Sequence, residues 1–189
     1  MAVAYDIKAI PTVYGARQYR SRLEAKWASF FDLAGWKYEY EPFDLGAWSP
    51  DFMLIGKSRV LVEVKPITDL DDDTAARMAQ AAVSAKWDGD LLLLGVAPLF
   101  NVMHCLMYRP GAIGWLGEHS TTSDEFPWSL AAAGIPYADP GSVEFMSDQY
   151  SYSGRMHGDG YKACCWPEDS GWLKSRWDRA ANRVQWHKR

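Results

Sequence analysis

Residues 59 to 65, Arg-Val-Leu-Val-Glu-Val-Lys, constrain the fold of this chain more than any other segment. Strand alternation puts Val60, Val62 and Val64 on one face and Leu61, Glu63 and Lys65 on the other. A carboxylate and an ammonium therefore project side by side, about 6.6 Å apart along the strand. Downstream, Asp71 to Trp87 has acid at its start, alanines and Met78 through its middle and Lys86 near its end, which predicts a helix with a complemented dipole. Leu91 to Val96 then reads as a fully buried strand. A strand followed by such a crossover belongs in the middle of a sheet with both faces covered. Charged residues are disfavoured there unless they bind something, so Glu63 and Lys65 need a chemical reason to exist.

The preceding residues supply one. Asp51 to Ile55 reads as a strand, and Gly56-Lys57-Ser58 as the turn of an antiparallel hairpin. Pairing symmetric about Lys57 sets Asp51 opposite Glu63, with Cβ atoms about 4.5–5.5 Å apart, near enough for one divalent cation to bridge both carboxylates. A register slip of one residue would send them to opposite faces. Uncompensated, the two acids repel and raise one pKa; a hard cation such as Mg2+ removes that penalty. Lys65 then completes a hydrolytic set, able to orient or help deprotonate an attacking water or to neutralise charge growing on a phosphate.

Upstream, Tyr19, Leu23, Trp27, Phe30, Phe31 and Ala34 recur at three and four, which predicts an amphipathic helix over 17–34 with Gly35 as its C-cap. Glu24 sits at the margin of its apolar stripe. Two readings of Glu24 stand side by side: a third carboxylate reaching over the sheet to the same metal, or a surface i,i+4 ion pair with Arg20. Trp36 to Tyr40 adds a strand, and Val102 to Tyr108 another. The order helix, three strands, helix, strands is that of an α/β domain ending near Arg109, with residues 110–189 as an aromatic-rich C-terminal extension. From Pro110 to Gly171 no period is sustained, and only Trp172 to Trp186 again reads as helix.

Ser49-Pro50-Asp51 followed by Glu63-Val64-Lys65, after a helix bearing Glu24, resembles the PD-(D/E)xK nuclease superfamily over roughly residues 14 to 97. The resemblance implies a restriction-endonuclease-like fold, a mixed β-sheet flanked by helices. It also implies Mg2+-dependent cleavage of DNA phosphodiesters, with Mn2+ as a substitute. Asp51 and Glu63 would be metal ligands, Lys65 the catalytic lysine and Glu24 the auxiliary acid. Gln80 stands where the RecB-like branch carries a glutamine, but that branch has a tyrosine four residues on and this chain has Ser84.

Composition narrows the function classes. With 48% hydrophobic and 23% charged residues among 189, the chain falls with globular proteins and not with disordered ones. The stretch Leu91 to Tyr108 carries no formal charge, yet Gly95, Pro98, Asn101 and His104 punctuate it, so no membrane span is expected. Ala2 to Asp6 lack the basic and apolar regions of a secretory leader, which points to the cytoplasm. Cys105, Cys164 and Cys165 cannot all pair, so reduced thiols are expected. His157, Cys164, Cys165 and His187 have zinc-binding chemistry without the usual spacing, so zinc is not expected. His104 reads as a hydrogen-bonded core residue. A net charge of −4 argues against indiscriminate coating of nucleic acid, but Lys174, Arg176, Arg179 and Arg183 gather in a tryptophan-rich tail. That tail suits either DNA, with cations for phosphates and indoles for bases, or packing of its helix on the domain. The expected function is a metal-dependent DNA nuclease, endonuclease or exonuclease, for which two-strand cleavage would suit a homodimer. The alternatives are a non-catalytic nucleic-acid or protein-binding module on the same fold, and an adaptor built on the aromatic C-terminal region.

Overall fold

The computed structural model describes residues 9–102, 111–120, 122–123, 125–158 and 160–184. Strands β1 (Thr12–Tyr14) and β2 (Arg17–Tyr19) form a small antiparallel pair ahead of helix α1 (Arg22–Leu33). The helix expected from Arg17 thus starts at Arg22. Ser21 is its N-cap, with Oγ accepting from the Glu24 N–H at 3.1 Å, while residues 17–19 satisfy their backbone groups against residues 12–14.

Strands β3 (Lys37–Tyr40), β4 (Phe52–Ile55) and β5 (Arg59–Val64) run as an antiparallel meander. Helix α2 (Asp72–Ser84) crosses over, and β6 (Asp90–Leu94) returns parallel to β5. Then come β7 (Leu99–Phe100), β8 (Gly111–Gly117), β9 (Trp128–Pro136), β10 (Glu144–Ser147), β11 (Cys164–Cys165) and helix α3 (Gly171–Arg183). Nine strands form one mixed sheet, ordered β10-β9-β8-β6-β5-β4-β3, with β7 beside β8 and β11 beside β9. The protein is mixed α/β, with three α-helices among the described residues.

The sheet does not stop near Arg109, where the sequence reading ends its α/β domain. Strands β8, β9 and β10 continue it from β6, so residues 111–147 widen the sheet instead of standing apart as an extension. All seven residues of β8 are buried, so no polar alternation marks it, and β9 is carried by the small residues Ala131 to Gly134. Gly114 lies at a register shift between Ala112 and Trp115, where a Cβ would come 2.4 Å from the Leu93 carbonyl oxygen; only glycine fits. Apart from Val102, the strand expected over 102–108, with His104 and Cys105, lies outside the described residues.

Each face of the sheet has its own core. On one, Trp27, Phe30 and Phe31 of α1 meet Phe52, Val60 and Val62, and α3 packs beside α1 through Leu173, Trp177 and Ala180. The Trp27 and Trp177 rings lie 4.7 Å apart. On the other, Met78, Ala81 and Ala82 of α2 cover Leu61, Leu91 and Leu93. Val60 and Leu61 thus face opposite ways, as the alternation requires. Among the described residues no helix is long and apolar enough to cross a membrane.

The β4–β5 turn is held from outside. The Lys57 and Ser58 N–H groups donate to the carbonyls of Met156 and Arg155, each at 3.0 Å. Arg155 is 3% exposed, and its guanidinium meets Asp90 Oδ2 at 2.8 Å and Glu118 Oε2 at 3.3 Å.

Three substitutions test this packing. Trp177→Ala should destabilise the protein by about 3–5 kcal/mol, measured by chemical denaturation, whereas exposed Arg179→Ala should stay within about 0.5 kcal/mol of the parent. Gly56→Ala would place a Cβ 2.5 Å from the Arg155 carbonyl and should cost about 1–3 kcal/mol by displacing the clamp on the turn.

Candidate active site

The β4–β5 register pairs Phe52 with Val62, Met53 with Leu61 and Ile55 with Arg59. It is the register the sequence reading expects, and continued by one residue it sets Asp51 against Glu63. Met53 and Leu61 pack on the α2 side of the sheet, so alternation puts Asp51 and Glu63 there too. Both are 4% exposed. They sit where β5 ends and β4 begins, at the carboxyl end of a strand whose neighbour β6 is parallel, which is where open α/β sheets bind ligands.

Each acid is held by different partners. Asp51 Oδ2 accepts from the Val64 N–H at 2.7 Å, and Oδ1 pairs with Arg20 Nη2. Glu63 Oε2 accepts from Trp48 Nε1 at 2.7 Å, and its Oε1 pairs with Lys65 Nζ at 2.7 Å. Trp48 is buried, on a loop whose turn closes through the Leu45 N–H to the Trp48 carbonyl at 3.0 Å.

Glu24 is 7% exposed and belongs to the same cluster. At the third position of α1 it reaches back, its Oε2 accepting from the Arg20 N–H at 3.2 Å and from the Tyr40 hydroxyl at 2.6 Å. Burial and the hydrogen bond to Glu24 push the Tyr40 phenol well above its ordinary pKa, so it stays a donor. The Arg20 ion pair is present, with Nε to Oε2 at 3.8 Å, and the same guanidinium joins Glu24 to Asp51.

Four carboxylates, Glu24, Glu41, Asp51 and Glu63, here face two cationic side chains, Arg20 and Lys65. The balance shows in Asp51, whose pKa is pushed from 3.8 up to about 7. Burial is the main cause, Glu63 and Glu24 add to it, and the Val64 N–H and Arg20 only partly offset it. Burial works against the Arg20 charge as well, yet Asp51, Glu24 and Glu41 outweigh it and raise the guanidinium pKa. Fully buried Glu144 is a contrast: backbone N–H groups of Phe145, Met156 and His157 donate to it at 2.9, 2.8 and 2.7 Å. An acid so saturated needs no cation.

Oxygen-only, buried and under-compensated, the Glu24, Asp51 and Glu63 donor set fits a hard divalent ion chemically. Among the described residues no three His, Cys, Asp or Glu side chains are gathered closely enough to hold a metal as they stand. Arg20 and Lys65 occupy carboxylate oxygens instead.

The other sequence candidates lie elsewhere. Gln80, exposed on α2, lines a groove of about 480 Å³ with Glu125, Phe126 and Pro127, and none of the site acids line it. His157 bonds the Ser142 hydroxyl at 2.6 Å, Cys164 packs with Met146 and Trp166, and His187 is outside the described residues. Of the tail cations Lys174, Arg176, Arg179 and Arg183, which suit either DNA phosphates or packing of the helix on the domain, not all point outward. Arg176 is turned inward to the carbonyls of Gly141 at 2.6 Å and of Leu33 and Pro140 at 3.4 Å, where burial lowers its pKa. Lys174 pairs with Asp178 at 2.7 Å. Among the described residues of α3, Arg179 and Arg183 are exposed without such a contact, because Leu173, Trp177 and Ala180 turn the apolar stripe onto α1.

Sequence reasoning missed Arg20, Trp48, Tyr40 and Glu41 as parts of the site. The capping pattern Ser21-x-x-Glu24 was the available signal for where α1 begins, and hence for where Arg20 stands. Compared with family models, curated proteins and solved structures, the chain has no significant match.

Asp51 makes stability depend on pH. With its folded pKa raised, the folded protein holds one more proton than the unfolded chain between about pH 4 and 7, so stability falls as pH rises through that window. In metal-free buffer Asp51→Asn should melt higher than the parent at pH 8, with the gap closing toward pH 5, as read by thermal denaturation.

Proposed function

We propose that this protein is a metal-dependent nuclease that hydrolyses DNA phosphodiester bonds with water as the nucleophile. The observation carrying this reading is the group of buried, under-compensated carboxylates at the end of β5 beside a lysine, with Asp51 held protonation-prone at about pH 7. The order of elements supports it: acid-bearing helix, hairpin, crossover helix and parallel strand is the arrangement that the PD-(D/E)xK resemblance implies.

Asp51 and Glu63 would hold Mg2+, or Mn2+ in its place, with Glu24 as the auxiliary acid. When bound, the ion supplies Lewis acidity toward a phosphoryl oxygen and lowers the pKa of water. The chain's own residues do the rest. The Val64 N–H fixes one oxygen of Asp51, and the Trp48 indole fixes one of Glu63, so both acids present their remaining oxygens in set directions. Lys65, half-buried beside Glu63, can orient the attacking water or neutralise charge growing on the phosphate. The protonated Tyr40 hydroxyl holds Glu24 by a donor that does not titrate near neutral pH. Exposed Arg179 and Arg183 offer cations to a DNA backbone at a second place, on α3.

One observation favours a non-catalytic binding module instead: Arg20 and Lys65 already pair with the acids. Incubating the protein with supercoiled, linear and branched DNA in Mg2+, Mn2+ or EDTA separates the two. The nuclease reading expects cleavage with either metal and none in EDTA. Asp51→Asn should abolish it together with metal binding, and Lys65→Ala should lower it by about 10²–10³ while metal still binds. Full cleavage by Lys65→Ala would remove the lysine from its role, and no cleavage of any substrate in either metal would favour the binding module.

A further inference from the structure

We propose that Arg20 is an exchangeable counter-cation of this site, covering its carboxylates when no divalent ion is bound and passing to the phosphate of the DNA when one is. The proposal rests on the metal-dependent reading above. Of the two Asp51 oxygens, Oδ2 is already taken by the Val64 N–H, so Oδ1 is the one left to face a cation. Arg20 Nη2 covers it, while Nε lies 3.0 Å from Glu41 Oε1 and 3.8 Å from Glu24 Oε2. One guanidinium thus spans three acids from two loops and a helix. A divalent ion and a guanidinium cannot share Oδ1, because the two positive charges would stand within one coordination distance of each other.

The surroundings are built for exchange. The Arg20 side chain is 53% exposed, whereas those of Asp51 and Glu24 are 6% and 9% exposed. The cation can therefore leave for solvent without opening the core, and the acids cannot follow. Its backbone stays put, since the Arg20 N–H donates to Glu24 Oε2 at 3.2 Å and to the Tyr40 hydroxyl at 3.0 Å. Glu41, which shares the guanidinium, sits at φ +48°, a left-handed backbone that L residues rarely adopt, with its N–H on the Asp51 carbonyl at 2.9 Å. A guanidinium released beside a metal-loaded carboxylate site presents a planar fork that matches a phosphate. Lys65 differs in kind: its ammonium is a point charge beside Glu63, without the planar fork that a guanidinium offers to a phosphate.

The test uses the full chain and two probes. Calorimetric titration with Mn2+ alone should give Arg20→Gln an affinity about 10- to 100-fold tighter than the parent, the worth of one hydrogen bond to a charged group. Arg22→Gln removes the same charge from an exposed neighbour that makes none of these carboxylate contacts, and should change the affinity less than threefold. With Ca2+ replacing Mg2+, binding of a duplex DNA should weaken about tenfold in Arg20→Gln, and the slope of log K against log salt should flatten by about one. Arg20→Lys keeps the charge but not the span, and should tighten Mn2+ only a few-fold; it serves if Arg20→Gln does not fold, as judged by circular dichroism. An unchanged Mn2+ affinity in the Arg20 variants overturns the proposal, as does equal tightening in Arg22→Gln. Tighter Mn2+ with unaltered DNA affinity and slope overturns the transfer to phosphate. Absence of Mn2+ binding in both the parent and Arg20→Gln, both folded, overturns the metal-dependent reading itself.

Discussion

Register between β4 and β5 is the constraint on which the site depends. Shifted by one residue, Asp51 would face α1 while Glu63 faced α2, and the two carboxylates would be parted. Local sequence encourages this register through a three-residue turn, but the turn does not stand alone. The Arg155–Met156 backbone binds its N–H groups, Gly56 leaves room for that approach, and Arg155 is in turn fixed by Asp90 and Glu118. Residues a hundred positions away in sequence thus hold the strand pairing that brings two carboxylates together.

Charge is the second thread. A buried acid can be satisfied by amide donors, as Glu144 is, or left short of positive charge, as Asp51 is. The first arrangement is inert and stabilising. The second costs stability at neutral pH and persists only where something offsets it, and here Arg20 and Lys65 do so in part. The shortfall of positive charge at Asp51 is what gives the Arg20 contact its weight.

The C-terminal half serves this arrangement more than it extends it. Strands β8 to β10 cover what would otherwise be the open edge of β6, and α3 covers α1 through Trp177. Arg176, a cation by sequence, spends its donors on the carbonyls of Leu33, Pro140 and Gly141, so it ties α3 to the end of α1. Charge in a helix need not be a binding surface when backbone acceptors lie within its reach.

Much of the α/β core was legible in the sequence because its signals are local. Alternation over residues 59–65, helical periodicity in α1 and α2, and a short turn are read from neighbours, and they place Glu63, Lys65 and Asp51 on one face. Strands β8 and β9 were not legible, since burial on both faces erases alternation and glycine and alanine carry little strand preference. Nor was the role of Arg20, whose three acid partners come from α1, the loop after β3 and the start of β4. By itself the sequence determined which residues bear charge and which strand face carries them, because side-chain direction follows from a fixed backbone period. Only the tertiary structure decided how those charges are shared, which cation covers which acid and which arginine turns inward, because Coulomb interaction and burial depend on distances between segments that the chain order does not contain.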